Sequence, residues 1–387
     1  MRSLLSLAAL LCLHSAAAAA PPSGAPLGIS YVVWTQQGYA DADAYLERLK
    51  SLGFSLVAFV PNYTQVDLNR LDFSSAPAWD DYTKAVGGAL DKGFSVVLMP
   101  HIEPNWSFDP FASENHSWRM QAPWRGYLDI DPMSEDYREK VIGRTLEMMQ
   151  EVYAKRASAK PARLDLGAEL MNSEVYLPDR WEGLLAYARK QISKLGLKGR
   201  VLLSHNFTHH FQIPNDFVLR MRPEGRRALA RYIKGLDGVA LSQYMDLTVA
   251  VPSAERGTRL PTAEEIGYAL VIHENNFRDN ILEKNLGLKP SEIPPLYLDE
   301  FAICCGGLRF PNVYQCKKSL GRDAALEKET VLGYQGLTKY LALGKGRWAR
   351  SAILWVGGGP DELFMPTSSS PGVKQSEEAL KAYLQQK

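Results

Sequence analysis

From Leu27 onward, short apolar runs alternate eight times with amphipathic stretches of helical period, and this alternation limits the fold more than any other feature of the chain. The first unit pairs the run Leu27–Trp34 with a helix from about Asp43 to Leu52. In that helix Tyr45, Leu46, Leu49 and Leu52 recur at helical spacing, and Gly53 supplies the stop. The later runs are Ser55–Val60, Phe94–Pro100, Arg163–Gly167, Val201–Ser204, Val239–Gln243, Pro295–Phe301 and Ala352–Val356. Helices are expected near Asp81–Asp91, Ser134–Lys155, Arg180–Leu195, Glu224–Lys234 and Ala324–Leu343. Another opens at the capping box Thr262-Ala-Glu-Glu265, and Ser376–Gln386 closes the chain. Runs such as Ser95-Val-Val-Leu-Met99 and Ala352-Ile-Leu-Trp-Val356 are apolar throughout, the pattern of parallel strands buried on both faces. The expected fold is therefore α/β, a single (β/α)8 TIM barrel over residues 21–387. No G-x-G-x-x-G follows the first strand, which argues against a dinucleotide fold, and no Pro/Ser-rich linker divides the chain.

Residues 1–20 stand apart. Arg2 precedes an apolar run from Leu4 to Leu13, and Ala16–Ala20 supply small residues for cleavage, which is the form of a secretory signal peptide. A secreted or periplasmic protein is expected. In that oxidising setting one disulfide can form among Cys304, Cys305 and Cys316, and their spacing is not that of a zinc site. Lys plus Arg number 44 against 43 Asp plus Glu, so no bulk charge draws the chain to nucleic acid or to an anionic membrane. The expected partner is a polysaccharide or oligosaccharide substrate, and the mature chain is expected to act as a monomer without nucleic acid or membrane.

In such barrels the active site lies at the C-terminal ends of the strands. The polar and aromatic residues there include Trp34, His101, Glu103, Asn105, Trp106, Glu169, Asn172, Glu174, His205, Asn206, Tyr244, Asp246, Asp299, Glu300 and Trp355. Carboxylates, amides and flat rings suit a sugar, whereas the Gly-rich, basic turns of a phosphate site are missing. The sharpest signal is the pair Glu169 and Glu300, each placed where its strand meets a loop, on the fourth and seventh strands. Glycoside hydrolysis needs two carboxyls flanking one bond. Asp299 adjoins Glu300, and alternation along a strand predicts that only one of the two faces the barrel axis. Trp355 is a candidate sugar platform and Trp34 a second. His101 is a candidate hydrogen-bonder at the rim, and Trp124 with Arg125 are candidates to shape a subsite. His205, His209 and His210 have no recognised metal spacing to Asp246, and neither metal nor cofactor is expected.

Three segments carry a family resemblance. They are Val96-Val-Leu-Met-Pro-His101 with the later Trp124-Arg-Gly126, Leu166-Gly-Ala-Glu-Leu170, and Tyr297-Leu-Asp-Glu-Phe301. Together they resemble the retaining glycosidase barrels of clan GH-A, and more narrowly glycoside hydrolase family 113, the β-mannanases. The resemblance implies a barrel-wide endo-β-1,4-mannanase fold acting by double displacement. It implies Glu169 as acid/base, Glu300 as nucleophile and Tyr244 as a hydrogen-bond partner of Glu300. Many clan members carry Asn just before the acid/base, where this chain has Ala168, so Asn172 or His101 is expected to bind the sugar 2-hydroxyl instead. The same barrel acting on another β-glycan, or binding carbohydrate without hydrolysis, is the alternative.

Overall fold

A computed structural model describes residues 24–104, 125–208, 218, 221–255, 258–304, 324–343, 348–355 and 371–385. Its strands are β1 (Leu27–Val33), β2 (Leu56–Gln65), β3 (Leu71–Asp72), β4 (Ser95–Leu98), β5 (His101–Glu103), β6 (Ala162–Ala168), β7 (Val201–Thr208), β8 (Gly238–Asp246), β9 (Leu296–Cys304) and β10 (Ala349–Leu354). Eight of them, β1, β2, β4, β6, β7, β8, β9 and β10, pair in that order, all parallel, and β10 returns to β1 to close the barrel. The expected (β/α)8 barrel is the observed fold. β5 lies beyond the barrel wall, pairing with the far end of β2 through Asn62 and His101. Among the described residues no helix is long and apolar enough to cross a membrane.

The helices are α1 (Ala42–Leu52), α2 (Trp79–Asp91), α3 (Arg144–Ala154, led in by a wide π turn over Asp136–Gly143), α4 (Met171–Tyr176), α5 (Pro178–Lys194), α6 (Pro223–Gly235), α7 (Ala263–Asn276), α8 (Ala324–Ala342) and α9 (Pro371–Leu384). Their sequence signals hold locally. α1 buries Leu46, Leu49 and Leu52 and ends at Gly53, whose φ of 94° is the left-handed cap that only glycine adopts without steric cost. α7 opens with its capping box intact: the Thr262 hydroxyl accepts from the Glu265 amide at 3.2 Å, and Glu265 accepts from the Thr262 amide at 2.8 Å. α4 was not anticipated, because six residues are too few to show a period.

Two apolar cores follow from strand alternation. The larger lies between barrel and helices and takes Ile29, Tyr31 and Val33 of β1 and Val57 and Phe59 of β2. The smaller fills part of the barrel interior with Val32, Leu56, Ala58, Val60, Val97, Met99, Ala168, Ala302, Ile353 and Trp355. Across the lumen, on the side of β6 to β9, the interior is polar. Arg163 bonds Asp299 and lies 3.8 Å from the ring centre of Tyr297, while the Ser204 hydroxyl bonds Asp165. Burial first, and then the charge of Asp299, pushes the Asp165 carboxyl well above the ordinary range.

Two bulges shape the rim. On β6 the pairing steps from Asp165↔Ser204 to Ala168↔Asn206, and on β9 it steps from Leu241↔Leu298 to Ser242↔Glu300. The extra residue on β9 breaks the alternation there. Asp299 and Glu300 both turn inward, Asp299 down to Arg163 and Glu300 up to the mouth. The expectation that only one of them faces the axis is corrected by this bulge.

Candidate active site

Glu169 and Glu300 meet at the mouth of the barrel. Glu169 follows β6, 2% exposed, and its backbone amide donates to the Asn206 carbonyl at 2.8 Å. Its φ of 56° makes it the single non-glycine residue in the left-handed region among the described residues. That conformation costs an L-residue roughly 1–2 kcal/mol, because Cβ crowds the following carbonyl. Strain of this kind persists where the surroundings hold it, and it clusters at functional sites. Glu169→Gly is therefore expected to be more stable than Glu169→Ala by about 1 kcal/mol, since both remove the carboxylate and only glycine relieves the backbone. Urea unfolding midpoints of the two variants measure this, and equal midpoints would remove the claim of strain.

Glu300 is fully buried and ringed by donors. The Tyr244 hydroxyl donates to Oε2 at 2.8 Å, and Asn206 Nδ2 donates to Oε1 at 3.1 Å. His101 Nε2 also lies 3.1 Å from Oε1. Burial first, then the charges of Glu300 and Glu169, raises the Tyr244 phenol well above its ordinary pKa, so it stays a neutral donor. Asn206 is held in turn by the Ser242 hydroxyl at 2.9 Å.

Arg125 joins the two glutamates. Its Nη1 lies 3.2 Å from Glu169 Oε2 and 3.8 Å from Glu300 Oε1, and its Nη2 donates to Glu103 at 2.7 Å. Those two Nη1 distances limit the separation of the nearest oxygens of the pair to about 7 Å, which includes the ~5–5.5 Å spacing of retaining glycosidases. Burial opposes the charge on Arg125, but Glu103, Glu169 and Glu300 outweigh it and hold its pKa above the ordinary value. Burial likewise works to raise Glu103, but Arg125 and then His101 prevail, so its carboxyl lies below the usual range and is ionised. The Trp355 ring stacks on His101 with centroids 5.1 Å apart and planes at 17°, and Arg125 approaches that ring at 5.9 Å.

Of the residues singled out from the sequence, Glu169, Glu300, His101, Arg125, Tyr244 and Trp355 are brought together. Trp34 stands at the end of β1, 52% exposed. Asn172, on α4, donates to Asp129 at 3.4 Å. His205 is not in the cleft. It lies within β7, which continues to Thr208, and alternation turns it outward, where Glu174 and Tyr232 each bond a ring nitrogen at 2.8 Å. Its neighbour Asn206 turns inward and donates to Glu300. Its place one residue beside His205, on an alternating strand, was the available signal. Glu103 and Ser242 complete the set. Trp106, Trp118, Trp124, His209, His210, Cys305, Cys316 and residues 1–20 lie outside the described residues.

No protein-family model and no curated protein matches the sequence. Solved structures do match it in fold. Two structures described as glycoside hydrolase family 113 β-1,4-mannanases share 16% identity with the chain. One has a TM-score of 0.58, covering 95% of this chain and all of the other; the second has 0.56, covering 93% and 98%. A family 113 β-mannanase from Alicyclobacillus acidocaldarius, also 16% identical, has a TM-score of 0.52 over 94% of this chain and 100% of its own. These likenesses show a (β/α)8 barrel over 93–95% of the chain.

Proposed function

We propose that the chain is a retaining glycoside hydrolase that cleaves β-linked polysaccharide or oligosaccharide, with β-1,4-mannan as the expected substrate. The observation that carries this reading is the pair itself: two buried glutamates from β6 and β9 face one cleft across one guanidinium, one of them ringed by donors. The similarity in fold to the β-mannanases supports the choice of glycan.

In this reading Glu300 attacks the anomeric carbon as a carboxylate. The glycosidic C–O bond breaks as Glu169 gives its proton to the departing oxygen. Water, deprotonated by Glu169, then attacks the glycosyl ester and frees Glu300. Tyr244, His101 and Asn206 aim Glu300 and hold its charge before attack. Once Glu300 is esterified its charge is gone, and the bond from Arg125 then favours Glu169 as the carboxylate that the second step needs. Trp355, stacked on His101, offers its remaining surface to the sugar.

Reducing-sugar release from a panel of β-glycans that includes mannan and glucomannan tests the reading. Release from mannan supports it in full. Release from a different glycan keeps the hydrolase and discards mannan, and no release from any glycan overturns it. We also propose a secreted or periplasmic location, resting on Arg2, the apolar run Leu4–Leu13 and Ala16–Ala20. The N-terminal sequence of protein recovered outside the cytoplasm decides that point.

A further inference from the structure

His205 and Asn206 are consecutive on β7 and face opposite sides of the barrel wall. Asn206 touches both halves of the site, since its side chain donates to Glu300 and its carbonyl accepts the Glu169 amide at 2.8 Å. His205 is fully buried on the outer side, with Trp181 of α5 edge-on to its ring at 4.8 Å and Tyr232 of α6 edge-on at 5.5 Å. Its Nε2 lies 2.8 Å from Glu174 Oε1 and its Nδ1 lies 2.8 Å from the Tyr232 hydroxyl. A carboxylate only accepts, so the contact to Glu174 takes an Nε2–H, and in the neutral ring the Tyr232 hydroxyl then donates to Nδ1.

Glu174 sits on α4, the short helix that begins two residues after Glu169. Its carboxylate is fully buried, and its second oxygen has no hydrogen-bond partner among the described residues. Replacing both partners of such a buried hydrogen bond by apolar groups of the same shape can be nearly neutral or stabilising, so stability alone does not account for it. The residue before Glu174 is tied down as well: the Ser173 hydroxyl donates to the Ile130 carbonyl at 2.6 Å and accepts from Trp181 Nε1 at 3.1 Å. Glu169 therefore sits in its left-handed conformation between two anchors, its own amide on β7 and the helix that follows it. The packing is tight enough that a Cβ on Gly167 would come within 2.6 Å of both the His205 and the Trp181 rings.

We propose that Glu174 and His205 are positioning residues for Glu169, acting from outside the barrel by clamping α4 to β7 so that the acid/base carboxyl is held over the same cleft as Glu300. The inference rests on the reading of Glu169 as acid/base. Without the clamp, α4 and the strained residue ahead of it relax together, and a displacement of an ångström is enough to cost ~10²-fold in rate.

The test compares two substrates: the oligosaccharide that the wild type cleaves fastest, and a 2,4-dinitrophenyl glycoside of the same glycone. The second needs no proton on its leaving group, so its kcat/KM is insensitive to a misplaced acid. Glu174→Ala and His205→Phe are expected to lose ~10²-fold in kcat/KM on the oligosaccharide and to stay within about threefold of the wild type on the aryl glycoside. Glu174→Gln, which keeps an oxygen for Nε2–H, is expected to recover most of the loss. Should the first two variants fail to fold, as thermal melts will show, Glu174→Asp shortens the clamp by one methylene and carries the same comparison. Equal losses on both substrates, or none on either, overturn the inference. Glu169→Gln is the control. If it lacks the leaving-group dependence, or if the wild type cleaves nothing, the acid/base reading fails and the clamp fails with it. If Glu169→Gln shows that dependence and the clamp variants do not, the clamp alone fails.

Discussion

Glu300→Ala is expected to lower glycan hydrolysis by ~10⁴–10⁶-fold, because it removes the atom that attacks and not merely a contact to substrate. Three groups point at that carboxylate: the Tyr244 hydroxyl at 2.8 Å, Asn206 Nδ2 at 3.1 Å and His101 Nε2 at 3.1 Å. These contacts fix the direction in which the carboxylate points. Truncation leaves those donors facing a hole, so some loss of stability is expected at about 1–3 kcal/mol per unsatisfied group. Initial rates on the preferred glycan, taken below the melting temperature of the variant, separate the two effects. Azide supplies the sharper readout. Entering the space vacated by the side chain, it should restore turnover and yield a glycosyl azide of the anomeric configuration opposite to that of the substrate. Turnover by Glu300→Ala without azide, close to the wild-type rate, would remove Glu300 from the mechanism.

Arg125→Met is expected to destabilise the protein by about 3–5 kcal/mol near neutral pH, the usual cost of leaving a buried charge without its partner. Here one guanidinium, 9% exposed, serves Glu103, Glu169 and Glu300 at 2.7, 3.2 and 3.8 Å. The pH dependence has a definite sign. In the wild type Glu103 lies below its ordinary pKa, so its contribution to stability is complete above the unfolded value of about 4.3 and is lost as pH falls through the lower folded value. Without Arg125 burial dominates at Glu103, and its carboxyl is pushed upward instead of down. Folding the variant then means burying an unpaired charge at neutral and alkaline pH, but only a neutral acid once pH falls below its raised value. The deficit against the wild type should therefore be largest at about pH 7–8 and narrow on acidification. Urea midpoints of both proteins across that range measure it, and a deficit independent of pH would mean that Arg125 acts through packing and not through charge.

Much of this molecule can be read along the chain. The strands showed themselves because parallel strands buried on both faces are apolar without interruption, and the helices because an apolar stripe at helical period has one use, to cover such a sheet. The end of β6 was therefore known closely enough to find Glu169, while Glu300 was found although its strand, read as ending at Phe301, runs on to Cys304. The reach of the strands was not legible. β7 and β8 continue to Thr208 and Asp246, because a ladder of backbone bonds to neighbouring strands extends them past their apolar segments. His205, expected at the rim, consequently lies inside a strand and faces the helices. Arg125 shows the same limit from the other direction. Expected from the sequence to help shape a subsite, it is instead buried between the two glutamates, where Glu103, Glu169 and Glu300 converge on it.

Local order along the chain thus decided the eightfold alternation, the caps of α1 and α7, and the two strands that bring in the carboxylates. These are consequences of periods of two and 3.6 residues, which act over a few neighbours. Which side of the wall a residue faces at the rim was decided in three dimensions. The bulge on β9 turns Asp299 and Glu300 to the same side, and on β7 the ladder that carries the alternation past the apolar segment places Asn206, rather than His205, in the cleft. A bulge arises where the registers of two neighbouring strands disagree by one residue, and that disagreement is a property of the pair, written in neither strand alone.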